Sequence, residues 1–226
     1  MSIVDVTRVL RRLLPSRVRA DLRAFRDLDR AGRGRYLALR IRRDNPVQRR
    51  DTAGGWTTLR SVLFVCRGNV IRSPMAAALL EQRLTMLGRA GVRVTCAGLR
   101  ANRGQPADPR AMEVAHRLGV SLAGHRAQPL TAALVDDAEL IVVMDSLNEA
   151  ELRSRFPEAR ARVLRLGALV QDGRRRPVDV TDPFDGDARD FHRCAQLIER
   201  SIERLVSRLR GAAAGTEPQA KGWSLR

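Results

Sequence analysis

Residues 62–74 read V-L-F-V-C-R-G-N-V-I-R-S-P, and this stretch carries the strongest structural signal in the chain. Its four apolar residues, 62–65, are typical of a short buried strand, and the strand pattern ends at Cys66. Gly68 and Asn69 tolerate positive φ, so the backbone after the cysteine can curl and direct its N–H groups into one concavity. The stretch therefore predicts an anion-binding loop with a cysteine at its base.

The residues that follow this loop suit a nucleophilic cysteine. Ser73 and Pro74 have the types of a helix N-cap and a first helical position. A helix N-terminus, inward N–H groups and a nearby arginine all favour the thiolate of Cys66. The guanidinium of Arg72 can bind two phosphoryl oxygens, and Ser73 can donate a hydrogen bond to the sulfur. A core cysteine that lies near an arginine by chance is the alternative, and the joint pattern disfavours it.

The composition indicates a globular chain with a basic excess. Its 226 residues suit one domain plus an appendage, and the formal net charge is +17. Three cysteines without paired spacing favour a reducing cytosol. No apolar run reaches the length of a membrane span, and the first residues do not resemble a signal peptide. The predicted location is cytoplasmic.

The basic excess is concentrated in residues 1–58, which we expect to form a basic, helical N-terminal extension with a linker. Residues 1–50 contain 15 Arg and 5 Asp, a net charge of +10. Apolar residues at helical spacing predict one helix near the start and another over 18–28. Gly32 and Gly34 are expected to interrupt this pattern, after which helix and strand fit equally well.

This extension has more than one possible use. A solvated helical hairpin packed on the main domain is the first interpretation. The second is docking on an anionic lipid surface, at the inner face of the membrane, or on an acidic partner. Nucleic acid is disfavoured as a partner, because no recognition motif or aromatic platform accompanies the charge.

Beyond the extension, strands and helices alternate along the chain. The predicted strands are 62–65, 92–96, 139–144 and 163–166, and the predicted helices are 107–118, 145–156 and 187–209. This alternation favours a parallel sheet covered on both faces, with ligands at the carboxyl ends of the strands. We expect the main domain to span 59–210 and to be followed by a flexible C-terminal tail, 211–226.

A loop before the last predicted helix supplies candidates for a proton donor. It reads V-D-V-T-D-P-F-D-G over 178–186 and contains three acidic residues, Asp179, Asp182 and Asp185. Asp182 is preferred, because the following proline stiffens the turn and Phe184 offers an aromatic wall for a flat substrate. The alternative is an ordinary Asp-Pro turn.

Residues 66–74 and the distant D-P-F motif at 182–184 resemble the low-molecular-weight protein tyrosine phosphatase family. Further segments agree with it in order and spacing: A-G-L at 97–99, A-D-P-R-A at 107–111, G-H-R-A at 124–127 and V-M-D-S-L-N at 143–148. The resemblance covers about 59–209. It implies a three-layer α/β sandwich with a four-stranded parallel sheet, and hydrolysis of phosphotyrosine without a metal or cofactor.

The resemblance also implies a role for each matching residue. Cys66 would attack phosphorus to form a phosphocysteine, Arg72 would stabilise the transition state, and Asp182 would act as acid and then as base. The implied substrate-binding residues are Arg67, Gly68, Asn69, Val70, Ile71, Ser73 and Phe184. Asn69, Ser73, His125 and Cys96 are the implied loop supports.

Several residues depart from the family pattern. Ile71 stands where many members have a second cysteine, so we expect peroxide to inactivate the enzyme without a disulfide inside the loop. Cys96 replaces the serine that holds the loop asparagine. Arg67, Arg100 and Arg103 predict a basic entrance. The missing rim aromatic resembles the bacterial subgroup that opposes capsule and exopolysaccharide tyrosine kinases, so the implied substrate is a bacterial tyrosine kinase or a polysaccharide biosynthesis protein.

Three other functions compete with phosphotyrosine hydrolysis. Arsenate reductases share the fold but need closely spaced additional cysteines. Protein arginine phosphatases of the family favour Thr at the position of Val70. A non-enzymatic basic phosphate-binding scaffold is a different class, and the joint presence of Cys66, Arg72 and Asp182 argues against it.

Overall fold

The computed structural model describes residues 22, 24–41, 55–89, 91–170 and 178–211. Within them, four strands form one sheet in which every neighbouring pair is parallel and the order is β2-β1-β3-β4. The strands are β1 (Ser61–Cys66), β2 (Arg93–Gly98), β3 (Leu140–Val143) and β4 (Val163–Arg165). Because the order reverses between β1 and β3, a crevice lies beyond the carboxyl ends of these two strands.

Helices connect and follow the strands. They are α1 (Arg30–Ile41), α2 (Arg72–Met86), α3 (Pro109–Arg117), α4 (Ala132–Asp136), α5 (Ser146–Arg155) and α6 (Ala188–Leu209), with 3-10 helices at Pro157–Arg162 and Leu166–Val170. Side chains of Asp108, Thr131, Asp145 and Asp187 accept backbone N–H groups at the starts of α3, α4, α5 and α6. Short polar caps therefore define these four helix starts.

The sheet lies between two layers of helices. Alternation along β1 directs Val62 and Phe64 to one face, and Leu63 and Val65 to the other. Helices α2, α3 and α6 bury the first face, and α4 and α5 bury the second. The predicted three-layer α/β sandwich with a four-stranded parallel sheet is confirmed.

Most of the described N-terminal extension is helical, as predicted, apart from turns at 55–58. Residues 24–27 are helical, the helix expected over 18–28 ends before Leu28, and α1 begins at Arg30, while Leu28 packs against α5. The expected interruption at Gly32 and Gly34 is wrong, because α1 runs through both. Glycine disfavours a helix by about 1 kcal/mol relative to alanine, and packing against α5 offsets this cost. The helix predicted near the start lies outside the described residues.

The division into 1–58, 59–210 and 211–226 stays a prediction. Trp56 is 5% exposed and belongs to the main core, where the Arg208 guanidinium lies 5.7 Å from its ring centroid. Most of the predicted linker and all of the tail after Gly211 lie outside the described residues. Across the part that the structure describes, no helix combines the length and apolarity that a bilayer crossing requires.

Candidate active site

The predicted loop lies at the crevice beyond the carboxyl ends of β1 and β3. Cys66 is the last residue of β1, and α2 begins six residues later at Arg72. Asn69 has a φ of 56° and is the one non-glycine residue with positive φ among the described residues, whereas Gly68 does not need that conformation. The predicted N-cap at Ser73 is wrong, because α2 already begins at Arg72. The N-cap position is Ile71, which makes no side-chain capping hydrogen bond.

The side chain of Ser73 contacts Cys66 instead of capping α2. Its Oγ lies 3.0 Å from the Sγ of Cys66, and the backbone N–H of Asn69 donates to the same sulfur at 3.2 Å. Asn69 Nδ2 donates to Ser73 Oγ at 2.9 Å, which leaves the hydroxyl hydrogen available for the sulfur. The same hydroxyl also lies 3.4 Å from the carbonyl oxygen of Ala97, to which it can donate instead. The Asn69 N–H, and the Ser73 hydroxyl when it turns to the sulfur, stabilise negative charge there.

Two residues outside the loop, Gln128 and His125, also form hydrogen bonds with Asn69. Its Oδ1 accepts from the backbone N–H of Gln128 at 2.9 Å, and His125 Nε2 donates to its carbonyl oxygen at 2.7 Å. Gln128 Nε2 also donates to the carbonyl of Cys96 at 2.9 Å. The predicted supports Ser73 and His125 thus contact the loop. Gln128 was not predicted, although it directly follows the G-H-R-A segment.

Cys96 lies close enough to Asn69 to interact with it. Burial raises the pKa of the Cys96 thiol to about 11, and a hydrogen bond from Asn69 acts in the opposite direction. A thiol at this position is therefore neutral at physiological pH. It can still accept a weak hydrogen bond from the loop asparagine.

Arg72 is the most buried charged side chain of the site, with 2% of its surface exposed. Its Nη1 donates to Asp145 Oδ2 at 2.5 Å and to the carbonyl of Val180 at 3.0 Å, and its Nη2 donates to Asp182 Oδ2 at 2.5 Å. Burial alone would lower the pKa of Arg72, but the charges of Asp182 and Asp145 outweigh it and raise that pKa. The guanidinium is thus permanently charged and held in a fixed orientation.

Asp145 is a residue of the site, whereas the sequence pattern predicts it only as the start of a helix. Burial raises its pKa to about 6, although the Arg72 charge opposes the shift. Its Oδ1 accepts the backbone N–H of Asn148 at 2.7 Å and so caps α5. The V-M-D-S-L-N segment was the signal that could have identified it.

The loop 178–186 brings Asp182 to the site and directs Asp179 elsewhere. Asp182 Oδ1 accepts the backbone N–H of Phe184 at 3.2 Å, while its other oxygen faces Arg72. Asp179 accepts from the backbone and hydroxyl of Ser146, at 3.1 and 2.9 Å, and pairs with Arg165 at 3.2 Å. This structural use of Asp179 agrees with the preference for Asp182.

Phe184 lies at the outer edge of the site and is 49% exposed. The Arg110 guanidinium is 6.0 Å from its ring centroid, and Arg110 Nη2 donates to its carbonyl at 3.2 Å. The ring is therefore available as the predicted aromatic wall. The side chains of Val70 and Ile71, by contrast, are buried in the core, so they can contact a ligand only through their backbone.

The predicted basic entrance is partly neutralised. Arg67 forms an ion pair with Asp27 of the N-terminal extension, and Arg100 Nε lies 3.2 Å from Glu151 Oε1. Among the described residues, no cluster of three or more His, Cys, Asp or Glu is arranged to hold a metal ion. The structure places Cys66, Arg72 and Asp182 in one site, where the guanidinium and the start of α2 are groups that can bind an anion.

Comparison with known proteins identifies the family. The family model described as low molecular weight phosphotyrosine protein phosphatase matches residues 61–214. The chain belongs to this family. The probable low molecular weight protein-tyrosine-phosphatase EpsP of Ralstonia nicotianae is 41% identical over 152 residues, which are 67% of this chain and 97% of the relative. The protein-arginine-phosphatase of Geobacillus stearothermophilus is 36% identical over 150 residues, 66% of this chain and 95% of the relative.

Solved structures of the low molecular weight phosphatase family share the fold. The tyrosine phosphatase Wzb from Escherichia coli K30, in complex with sulphate, has a TM-score of 0.61 and 28% identity over 67% of this chain and 99% of its own. The YwlE arginine phosphatase from Geobacillus stearothermophilus has a TM-score of 0.60 and 35% identity. The match covers 67% of this chain and 94% of the phosphatase chain. The residues before β1 lie outside the family match.

Proposed function

We propose that the chain hydrolyses phosphotyrosine in proteins through a phosphocysteine intermediate. The observation that carries this proposal is the buried Arg72, which begins α2 at the end of the loop that follows Cys66 and donates to Asp182. A cysteine nucleophile, a phosphate-binding arginine and a carboxyl acid are the three groups that such a reaction needs. The named tyrosine phosphatases among the relatives support it.

The proposed reaction has two steps. In the first, the Sγ of Cys66 forms a bond to phosphorus as the bond to the tyrosine oxygen breaks, and Asp182 gives its proton to that oxygen. In the second, water attacks the phosphocysteine, Asp182 takes the water proton, and phosphate leaves with regeneration of the thiolate. Ser73 and the N–H of Asn69 stabilise that thiolate as a leaving group.

This mechanism requires Arg72 to exchange a partner. Its Nη2 donates to Asp182, while its Nη1 donates to Asp145 and to the carbonyl of Val180. We expect phosphoryl oxygens to replace Asp182 at Nη2 and the freed carboxyl to turn to the leaving oxygen. Asp145 keeps the guanidinium oriented during the exchange.

A protein arginine phosphatase is the second candidate. Curated and structural relatives with that name match at 36% and 35% identity. Val70 favours phosphotyrosine, because the arginine phosphatases of the family are expected to have Thr there. Arsenate reduction is less favoured: Cys194 is buried in α6 and burial raises its pKa to about 12, so it is a poor thiolate donor.

The finer proposals concern substrate and location. A bacterial tyrosine kinase or a polysaccharide biosynthesis protein is the proposed substrate, and the cytoplasm the proposed location. Residues 1–58 are proposed to contact an anionic membrane surface, which the exposed Arg26, Arg30, Arg33 and Leu37 support. Co-sedimentation of the whole chain with anionic and neutral liposomes tests this contact, and equal failure to bind both would end the membrane proposal.

The catalytic proposal is tested by assaying freshly reduced protein on p-nitrophenyl phosphate, a phosphotyrosine peptide and a phosphoarginine peptide. We expect the phosphotyrosine peptide to have the highest kcat/KM. Cys66→Ser should remove activity, and Asp182→Ala should lower kcat about 100-fold or more. Asp185→Ala, in the same loop, is the matched control and should remain within about 3-fold of wild type. A wild type that hydrolyses none of the three would favour the phosphate-binding scaffold.

A further inference from the structure

The N-terminal extension lies against the rim of the proposed active site. Leu28 is 3% exposed and packs against Leu147 and Ala150 of α5, the helix that begins directly after Asp145. Ser154 Oγ, near the end of the same helix, lies 3.0 and 3.1 Å from the two carboxylate oxygens of Asp29. Ala24, Phe25, Tyr36 and Leu39 also pack against this cluster, so an apolar contact centred on Leu28 and a polar contact at Asp29 hold the segment 24–41 on α5.

This docking places Asp27 next to the phosphate-binding loop. The Asp27 carboxylate pairs with Arg67, the residue that directly follows Cys66. The backbone carbonyl of Asp27 accepts from Arg100 Nη2 at 2.5 Å, and the backbone N–H of Arg100 donates to the carbonyl of Arg67 at 2.8 Å. A single residue of the extension therefore contacts both arginines on this side of the loop.

The ion pair between Arg67 and Asp27 makes the rim less attractive to acidic residues of a substrate. Arg67 and Asp27 are both partly exposed, with 27% and 35% of their side chains accessible, so a substrate can reach them. Arg100 already has an acidic partner in Glu151 at 3.2 Å. An acidic residue of a bound peptide would have to displace Asp27 in order to pair with Arg67. The carboxylate thus competes with acidic substrates for the arginine beside the nucleophile.

We propose that Asp27 is a specificity-determining residue, which selects against acidic residues beside the phosphorylated residue of the substrate. This inference rests on the proposed phosphatase function. It assigns part of the substrate-facing rim to a segment that lies outside the family match.

The test compares two phosphotyrosine peptides of equal length, one with acidic and one with neutral flanking residues. The measured quantity is the ratio of their kcat/KM values for each enzyme. Asp27→Asn keeps the shape and removes the charge, and we expect it to raise the acidic-to-neutral ratio about 2- to 5-fold at low salt. The rise should diminish at high salt, because exposed charges are screened.

Glu158→Gln is the control, since it removes one exposed negative charge from the 3-10 helix before β4, at the other end of the strands from the Cys66 loop. Its ratio should equal that of wild type. Leu28→Ala weakens the apolar anchor and should raise the ratio in the same direction as Asp27→Asn. An active wild type whose ratio is unchanged by Asp27→Asn would overturn this inference alone. A wild type inactive on both peptides would overturn the proposed function, and this inference with it.

Discussion

Arg72 and Asp182 are paired with each other, Nη2 to Oδ2 at 2.5 Å, although the proposed reaction uses them on opposite sides of the scissile bond. A phosphoryl group must therefore compete with Asp182 for the guanidinium. This competition should weaken the binding of phosphate by a measurable amount.

Removal of Asp182 should tighten the binding of inorganic phosphate. In Asp182→Ala the guanidinium Nη2 is free of its carboxylate partner and the site has one negative charge less. We expect the Kd for phosphate to fall about 3- to 10-fold, a change of about 1 kcal/mol. Isothermal titration calorimetry measures it, with Asp185→Ala as control. An unchanged or higher Kd in Asp182→Ala would contradict the competition.

Asp145 should make stability depend on pH. Its pKa is about 6 in the folded protein because of burial, against about 3.9 for an ordinary aspartate. The native state therefore binds more protons between about pH 4 and 6, so this carboxyl stabilises the fold at low pH and the contribution is lost as pH rises through 6. Asn at this position cannot titrate, yet its side-chain oxygen can still cap α5.

The unfolding free energy of Asp145→Asn relative to wild type should thus increase by about 2–3 kcal/mol from pH 4 to pH 7. Denaturant unfolding at the two pH values measures the change. A relative stability that stays constant or decreases between the two pH values would show that Asp145 is ionised throughout.

The left-handed backbone of Asn69 predicts an inverted order of two substitutions. Asn69→Gly and Asn69→Ala both lose the side-chain bonds to Ser73 and Gln128, but only alanine is strained at a φ of 56°. We expect Asn69→Ala to be less stable than Asn69→Gly by about 1 kcal/mol, the reverse of their order in a helix. Thermal and denaturant unfolding test this order. Equal stability would mean that the loop relaxes to another conformation.

Peroxide should inactivate the enzyme without a disulfide inside the loop. Ile71 occupies the position where many family members have a second cysteine, so oxidation of Cys66 has no resolving thiol within the loop. Peptide mass spectrometry of the inactivated protein should find sulfenic, sulfinic or sulfonic acid at Cys66. Cys96→Ser and Cys194→Ser should lose activity at the wild-type rate. A disulfide between Cys66 and Cys96 would identify a resolving partner.

The sequence was sufficient for the parts of the molecule that consecutive residues encode. Residues 61–72 contain the strand, the nucleophile, the left-handed turn and the arginine, so sterics and short-range hydrogen bonds determine the loop locally. Strand and helix alternation then predicts the parallel sheet, because neither element can bury its apolar side alone. Asp182 was also recognised from a short motif, the D-P-F at 182–184.

The tertiary structure decided which distant groups meet at the loop. Asp145 contacts Arg72 across 73 residues because the sheet order places the ends of β1 and β3 side by side. Asp27 contacts Arg67 across 40 residues because Leu28 anchors the extension on α5. The low helix propensity of Gly32 and Gly34 predicts a break in α1, but packing against α5 offsets the cost of these two glycines. Partners of this kind depend on how whole elements pack, and no pattern of neighbouring residues encodes them.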